Sequence, residues 1–333
     1  MIKVYGNALS IGCDALKKKK LLLIINPCAG KNSKRICAAD VIDRFSCSDY
    51  ECITKTTRCQ GDATTIVKEY GEDCDLVVCC GGDGTLNETM NGVMKMKNHI
   101  PVGYIPCGST NDYANTLGLP ENIGLDAQLI LDDKRNMADI GSFNGRFFSY
   151  VASFGVATDL AYSTPQKLKN ILGHTAYMIN GYVIRFFPML LNFKPIYMKV
   201  EYDGGVIEDK FYFGSISNST SVGGIFKLLK QNVKLNDGFL ELFLVRGLKK
   251  NLDVLKILKK VKSENYDGEQ MVLIKTKKVR ITANEIVPWT LDGEFGGAHR
   301  VVEIEAIHNG IEVFSDSEKM FLHNNNLTKQ KEL

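Results

Sequence analysis

Short apolar runs alternate with segments of helical spacing over the first 140 residues. Strands are predicted at residues 21–25, 51–57, 75–80 and 102–106, and helices at residues 33–45, 62–70, 85–96 and from about residue 111. Residues 21–25 are all aliphatic, which is typical of a strand buried on both faces. Repeated strand–helix units of this length predict a parallel sheet with helices on both faces.

The pattern changes after about residue 141. Segments rich in aromatic and β-branched residues predict strands at residues 147–154, 196–203, 208–217, 239–246, 271–275, 278–283 and 301–307. Turn pairs such as Asp203-Gly204, Asp237-Gly238 and Asn309-Gly310 separate them. Helical insertions are predicted at about residues 165–187 and 251–260. We therefore expect an α/β domain followed by an antiparallel β-sandwich domain.

The length of 333 residues suggests two domains. We place an α/β domain at residues 20–140, a β-rich domain at residues 141–315 and a polar tail at residues 316–333. Alternatively, the last segment of the β-rich domain packs with the first domain. A hydrophobic content of 44% with 24% charged residues is ordinary for a globular chain and excludes wholesale disorder.

The net charge, the positions of the cysteines and the apolar regions exclude several classes of protein. A formal net charge of +3 is too small to indicate a nucleic-acid partner by composition. The ten cysteines all lie in the first third of the chain without C-x-x-C spacing, so we interpret them as reduced core thiols of a cytoplasmic protein. The longest apolar region, residues 170–193, contains His174, Arg185 and Pro188, so no membrane span is expected.

A glycine-rich turn is the strongest chemical signal. It follows the strand at residues 75–80, opens a helix and reads Gly81, Gly82, Asp83, Gly84, Thr85, Leu86, Asn87, Glu88. Glycines let the backbone approach a bulky anion, and the amides of a helix start point at it. Asp83 is itself an anion, so we expect it to contact a divalent cation carried by a nucleotide. The alternative is a turn that only satisfies tight geometry.

Two other polar turns follow the first and fourth strands. They read Asn26-Pro27-Cys28-Ala29-Gly30-Lys31 and Pro106-Cys107-Gly108-Ser109-Thr110-Asn111-Asp112. Ligands of open parallel sheets bind beyond the carboxyl ends of strands, so the three turns are expected to share one crevice. Each turn alone has a plainer interpretation, an ordinary turn dipeptide or a helix cap. Neither a Walker P-loop nor a G-x-G-x-x-G before the first helix occurs.

A late acidic turn, Asp292-Gly293-Glu294, follows Trp289-Thr290-Leu291. Two carboxylates on one turn suit a general base that takes a proton from an attacking hydroxyl. The alternative is a β-turn with solvated acids.

Together these four motifs resemble the diacylglycerol kinase catalytic family over about residues 20–315, in the form of its bacterial soluble lipid kinases. Sphingosine and ceramide kinases are more distant relatives. NAD kinases and phosphofructokinases share the glycine–aspartate turn, and the resemblance implies their kind of nucleotide-binding fold for the first domain.

The resemblance implies roles for individual residues. ATP would be surrounded by Asn26, Pro27, Cys28, Ala29, Gly30, Thr57, Gly81, Gly82, Asp83, Gly84, Thr85, Leu86, Asn87 and Ser109. Asp83 and Asp112 would organise the catalytic Mg²⁺, and either Asp292 or Glu294 would be the base. In the segment Lys234-Leu235-Asn236-Asp237-Gly238-Phe239, Asp237 and the main-chain oxygens of Lys234 and Phe239 would hold a structural Mg²⁺. A plain hairpin turn is the alternative for that segment.

The implied activity is ATP-dependent phosphorylation of the primary hydroxyl of diacylglycerol to phosphatidic acid, in phospholipid metabolism. Phosphatidylglycerol, a sphingoid base or NAD are alternative acceptors, and a silent nucleotide-binding regulator is an alternative class. The lipid partner places a cytoplasmic enzyme transiently at the inner face of the membrane. Residues 165–193 are interpreted as an interfacial helix or, equally, a core helix. A homodimer is left open.

Overall fold

A parallel sheet with flanking helices forms the first part of the described chain. The computed structural model describes residues 18–30, 38–155, 194–219, 234–246 and 269–316. The parallel strands are β1 (Lys19–Ile25), β2 (Tyr50–Thr56), β3 (Leu76–Gly81) and β4 (Val102–Pro106), in the spatial order β2-β1-β3-β4. The helices are α1 (Ala38–Ser46), α2 (Asp62–Tyr70), α3 (Asp83–Val93), α4 (Asp112–Thr116) and α5 (Ile123–Leu131).

The central strands of this sheet are buried on both faces, as their composition predicts. Leu21, Leu22, Leu23 and Ile24 of β1 are fully buried, and β1 lies between β2 and β3. The hydrophobic effect on these continuous apolar strands therefore fixes the middle of the sheet. None of the helices in the described part of the chain is long and apolar enough to cross a membrane.

Antiparallel strands form the second part. They are β5 (Arg135–Phe143), β6 (Arg146–Phe148), β7 (Val151–Gly155), β8 (Ile196–Tyr202), β9 (Gly205–Ser217), β10 (Leu240–Arg246), β11 (Met271–Thr276), β12 (Lys278–Leu291) and β13 (Glu294–Phe314). Their inner faces bury a second core around Trp289, which contacts the rings of Phe143 and Phe154. The turn between β12 and β13 consists of Asp292 and Gly293, both with positive φ, as a tight hairpin requires.

Strand β13 joins the two parts. Its first half pairs antiparallel with β12, its second half pairs antiparallel with β5, and its end pairs in parallel with β4, where Val313 lies opposite Val102. The hydrogen-bonded sheet is therefore continuous from the β-rich part into the parallel part. The predicted domain boundary at residues 140 and 141 falls inside β5.

Several local expectations are corrected. The predicted strand at residues 147–154 is two strands, because the backbone turns at Ser149 and Tyr150 to donate to a buried carboxylate. Helix α5 and the start of β5 were not predicted. Cys28 and Cys59 are exposed rather than core thiols, whereas Cys79 and Cys80 are fully buried. The predicted helical insertions, including the interfacial segment at residues 165–193, lie outside the described residues.

Candidate active site

Three polar turns meet at the carboxyl edge of the parallel sheet. The Asn26 amide donates to the Cys80 carbonyl at 2.9 Å, and the Cys107 amide donates to the Gly81 carbonyl at 2.7 Å. The Asn26 side chain also donates to Thr85 Oγ1 at 2.9 Å. The turns after β1, β3 and β4 are thus hydrogen-bonded to one another, as the parallel-sheet argument predicted.

Two glycines meet where the turns after β3 and β4 touch. A Cβ added to Gly108 would lie 2.7 Å from the Gly82 Cα, and one added to Gly82 would lie 3.3 Å from the Gly108 Cα. Real side chains do not tolerate the shorter separation, so only glycine at residue 108 permits this approach. Next to the start of α3, the two turns therefore meet through backbone atoms alone.

Glu88, on α3, fixes the position of the loop after β2. Its carboxylate accepts from the Gly61 amide at 2.7 Å and the Ala63 amide at 3.2 Å, at the start of α2. Asp62, the first residue of α2, instead accepts from the amides of Arg58 and Cys59 and does not cap the helix. Glu88 thereby anchors the loop that follows Thr57, whose amide donates to the last carbonyl of β1.

Asp83 and Asp112 lie together at the starts of α3 and α4. Asp83 accepts from the amides of Asp112 at 3.2 Å and Tyr113 at 3.4 Å. Burial, and then repulsion from Asp112, raise the pKa of Asp83 to about 7. Burial and the negative charge of Asp292 raise the pKa of Asp112 to about 6. A cation bound between the two acids would favour their ionised forms.

Asp292 is held by five hydrogen bonds to its carboxylate. The donors are Asn87 Nδ2 at 2.6 Å, the Ser149 amide and hydroxyl at 2.6 and 2.7 Å, and the Tyr150 and Val151 amides at 3.0 Å. Asp292 is only 2% exposed. Its oxygens therefore tie the hairpin turn to α3 and to the junction of β6 and β7.

Glu294, two residues further on, reaches the glycine turn. A Cβ added to Gly84 would lie 3.2 Å from Glu294 Oε1, and the Glu294 side chain is exposed. The late acidic turn and the glycine turn, about 200 residues apart in sequence, thus share one location. An exposed carboxylate here faces the place where a bound phosphate chain would approach the α3 amides.

The remaining predicted nucleotide-site residues differ in what they offer. Pro27, Cys28 and Ser109 are exposed on the turns, and Ala29 and Gly30 are partly buried beside them. Leu86 is 1% exposed, so its side chain belongs to the core and only its backbone belongs to the site.

Sequence reasoning missed Asn91 and Ser149, which support Asp292 directly or through Asn87. The spacing of Asn87 and Asn91, one helical turn apart, was the available signal.

A magnesium ion fits this site when phosphates complete its coordination. Among the described residues, no three His, Cys, Asp or Glu side chains are grouped closely enough to hold a metal alone. Asp83 and Asp112 nevertheless supply the hard oxygen atoms that Mg²⁺ prefers, and they lie close enough for the charge of Asp112 to raise the pKa of Asp83 after burial. The donor set suits an ion that arrives with a nucleotide.

The turn at residues 234–239 is a second place that suits a cation. Asp237 accepts from the Phe239 amide at 3.1 Å and from Lys275 Nζ at 2.7 Å. Glu241 beside it is 4% exposed, neither carboxylate oxygen has a hydrogen-bond partner, and Lys275 Nζ lies 3.6 Å away. Burial raises the pKa of Glu241 to about 8. Two carboxylates share one ammonium group here, so an additional hard cation is compatible with the turn.

Two family models match this chain. A model described as the diacylglycerol kinase catalytic domain matches residues 20–143, and one described as the YegS C-terminal NAD kinase beta sandwich-like domain matches residues 169–314.

The chain is 34% identical over 281 residues to a diacylglycerol kinase of Bacillus subtilis (strain 168), covering 84% of this chain and 91% of the relative. It is 33% identical over 283 residues to a diacylglycerol kinase of Staphylococcus haemolyticus (strain JCSC1435), covering 84% and 83%.

A crystal structure assigned to the diacylglycerol kinases, from Bacillus anthracis str. Sterne, superposes with a TM-score of 0.75 at 26% identity. The alignment covers 91% of this chain and 97% of that one. The fold class therefore agrees with the expectation drawn from the sequence.

Proposed function

Because the chain belongs to the diacylglycerol kinase family and is an ATP-dependent lipid kinase, we propose that its acceptor is the primary hydroxyl of diacylglycerol and its product phosphatidic acid. The observation that carries the proposal is the position of Glu294 beside Gly84. A carboxylate at this point is suited to meet an acceptor hydroxyl next to a phosphate chain on the glycine turn.

The nucleotide is proposed to lie on the turns after β1, β3 and β4. Amides at the start of α3 favour the phosphates, and Gly82 and Gly108 allow the backbones of the two turns to meet beside this helix start. Asp83 and Asp112 would hold Mg²⁺, which when bound neutralises charge on the transferring phosphoryl group. Phosphoryl transfer depends mainly on such positioning and charge compensation, since the protein takes little part in the covalent chemistry.

Glu294 is the proposed base. The five hydrogen bonds of Asp292 occupy the lone pairs of its carboxylate oxygens, so a substrate hydroxyl finds no vacant acceptor there. Glu294 is exposed at the glycine turn and is suited to accept the proton of the lipid hydroxyl as the oxygen attacks the γ-phosphate. Asp292 then serves to orient the turn that carries Glu294.

The turn at residues 234–239 is proposed to hold a structural Mg²⁺. Asp237 and the main-chain oxygens of Lys234 and Phe239 would be its ligands. The oxygens of buried Glu241, which have no hydrogen-bond partner and share Lys275 with Asp237, support a cation at this place.

A lipid acceptor also implies where in the cell the enzyme acts. Diacylglycerol resides in membranes, so we propose that this chain acts from the cytoplasm at the inner membrane face. Sedimentation with vesicles that contain anionic lipid tests this contact, and absence of binding at low salt would contradict it.

The acceptor is tested with radiolabelled ATP and four acceptors in parallel: diacylglycerol, phosphatidylglycerol, sphingosine and NAD. Label in phosphatidic acid alone supports the proposal, and the Asp83→Asn variant provides the background. Label in phosphatidylglycerol or sphingosine instead would replace the acceptor but keep the mechanism. Label in NAD, or in none of the four, would overturn the proposal.

A further inference from the structure

Asn91 clamps helix α3 to strand β6. Its Oδ1 accepts from the Phe147 amide at 3.0 Å, and its Nδ2 donates to the Phe147 carbonyl at 2.8 Å. Asn91 is only 6% exposed. This pair of bonds fixes one backbone residue of β6 to α3, two residues before the Ser149 amide that donates to Asp292.

The same side chain also sets the orientation of Asn87. Asn91 Nδ2 has two hydrogens for three acceptors, so the Asn87 carbonyl at 2.9 Å and Asn87 Oδ1 at 3.2 Å share one of them. A side-chain amide has one accepting and one donating end, and only the donating end can satisfy a carboxylate. Because Asn91 engages the oxygen of Asn87, the Asn87 amino group faces Asp292, which it contacts at 2.6 Å, and it also donates to the Phe147 carbonyl at 3.2 Å.

We propose that Asn91 is a positioning residue for phosphoryl transfer. Through Asn87 and β6 it fixes the turn that carries Asp292 and Glu294 relative to the glycine turn at the start of α3. It contacts neither of these acids itself and acts only through its neighbours. The inference rests on the proposed function for its catalytic consequence, but its geometric consequence is separate and is measured without substrate.

Hydrogen–deuterium exchange tests the geometric consequence on the full chain. The reporters are the Ser149, Tyr150 and Val151 amides, which all donate to Asp292. In Asn91→Leu we expect them to exchange at least about tenfold faster, because the support of their acceptor is lost. Unchanged exchange would overturn the proposal, whatever lipid the enzyme phosphorylates.

Thr89→Val is the matched control. Thr89 is fully buried on the same helix, and its hydroxyl donates to the Thr85 carbonyl at 2.8 Å, within α3. This variant removes a buried polar group without touching the acidic turn, so exchange of the three reporter amides is expected to stay at the wild-type rate. A comparable increase in Thr89→Val would show that general loosening of α3 suffices and would also overturn the proposal.

Kinetics test the catalytic consequence. In Asn91→Leu we expect kcat to fall by about 10- to 100-fold while KM for ATP changes less than about twofold, since misplacement affects transfer more than nucleotide binding. In the Asp292→Asn background the same substitution should cost less than about threefold, because both changes act on one turn. Equal losses in both backgrounds would refute the coupling.

Asn91→Ser serves as a second variant should Asn91→Leu fail to fold, because its hydroxyl stays polar but cannot span both partners. The same exchange and kinetic outcomes apply to it. Wild-type protein that phosphorylates no lipid would refute the proposed function, yet the exchange result would still decide the role of Asn91 in placing the turn.

Discussion

Substitution of Asp83 by Asn should stabilise the metal-free protein while abolishing its activity. Asp83 lies beside Asp112, and burial and repulsion raise its pKa to about 7. Folding thus keeps Asp83 protonated over a pH range in which the unfolded chain has already lost the proton. The stability of the metal-free wild type should therefore fall as the pH rises from about 4 to about 7, and Asp83→Asn should remove this contribution.

The size of the effect follows from the rise in pKa. A rise from 3.8 to about 7 sets a ceiling of about 4 kcal/mol, since each pKa unit corresponds to about 1.4 kcal/mol. Asp83 is partly exposed, and solvent screening reduces the gain to roughly 1–3 kcal/mol at pH 8. The melting temperature should then rise by roughly 2–6 °C at pH 8 and hardly at all near pH 4.

Thermal melts of wild type and Asp83→Asn, without Mg²⁺ or ATP, provide the measurement at both pH values. Asp62→Asn is the control of opposite sign, because hydrogen bonds from the Arg58 and Cys59 amides lower the pKa of Asp62. That variant should lose stability at neutral pH. Lipid phosphorylation by Asp83→Asn should fall by about 100-fold or more. A variant no more stable than wild type at pH 8 would refute the electrostatic reasoning, and near-normal turnover would refute the metal role.

Three other outcomes are expected. Glu294→Gln should lower kcat by about 100-fold or more and leave the melting temperature unchanged, whereas Asp292→Asn should lower both quantities. If Glu294→Gln turned over at the wild-type rate, Asp292 would be the base instead. Gly108→Ala, whose methyl group would lie 2.7 Å from the Gly82 Cα, should weaken ATP binding by roughly tenfold in calorimetric titration, and unaltered affinity would contradict a nucleotide site at this contact. Mg²⁺ without ATP should raise the melting temperature of wild type but not of Asp237→Asn, and equal shifts would refute the structural ion.

The secondary-structure elements were predicted from the sequence better than the long-range hydrogen bonds that hold them in place. The helix at residues 62–70 and the strand at residues 102–106 match α2 and β4, because continuous apolar runs and turn residues specify them locally. The split at Ser149 was not predictable, since the carboxylate that causes it belongs to Asp292. The capping of α2 by Glu88 was missed for the same reason, because proximity in space and not in sequence determines it.

The choice between Asp292 and Glu294 shows the same limit at the site itself. Both acids fit a base by sequence, and only the donors around Asp292 separate them. Those donors come from α3 and from the junction of β6 and β7, and β13 runs from the acidic turn to the side of β4. The acidic turn is therefore tied to the parallel sheet by side-chain bonds and by a shared strand. It follows that the distance between the proposed base and the glycine turn is set by folding, before any nucleotide binds. ATP and the proposed metal would then have only to compensate the charge that this arrangement brings together.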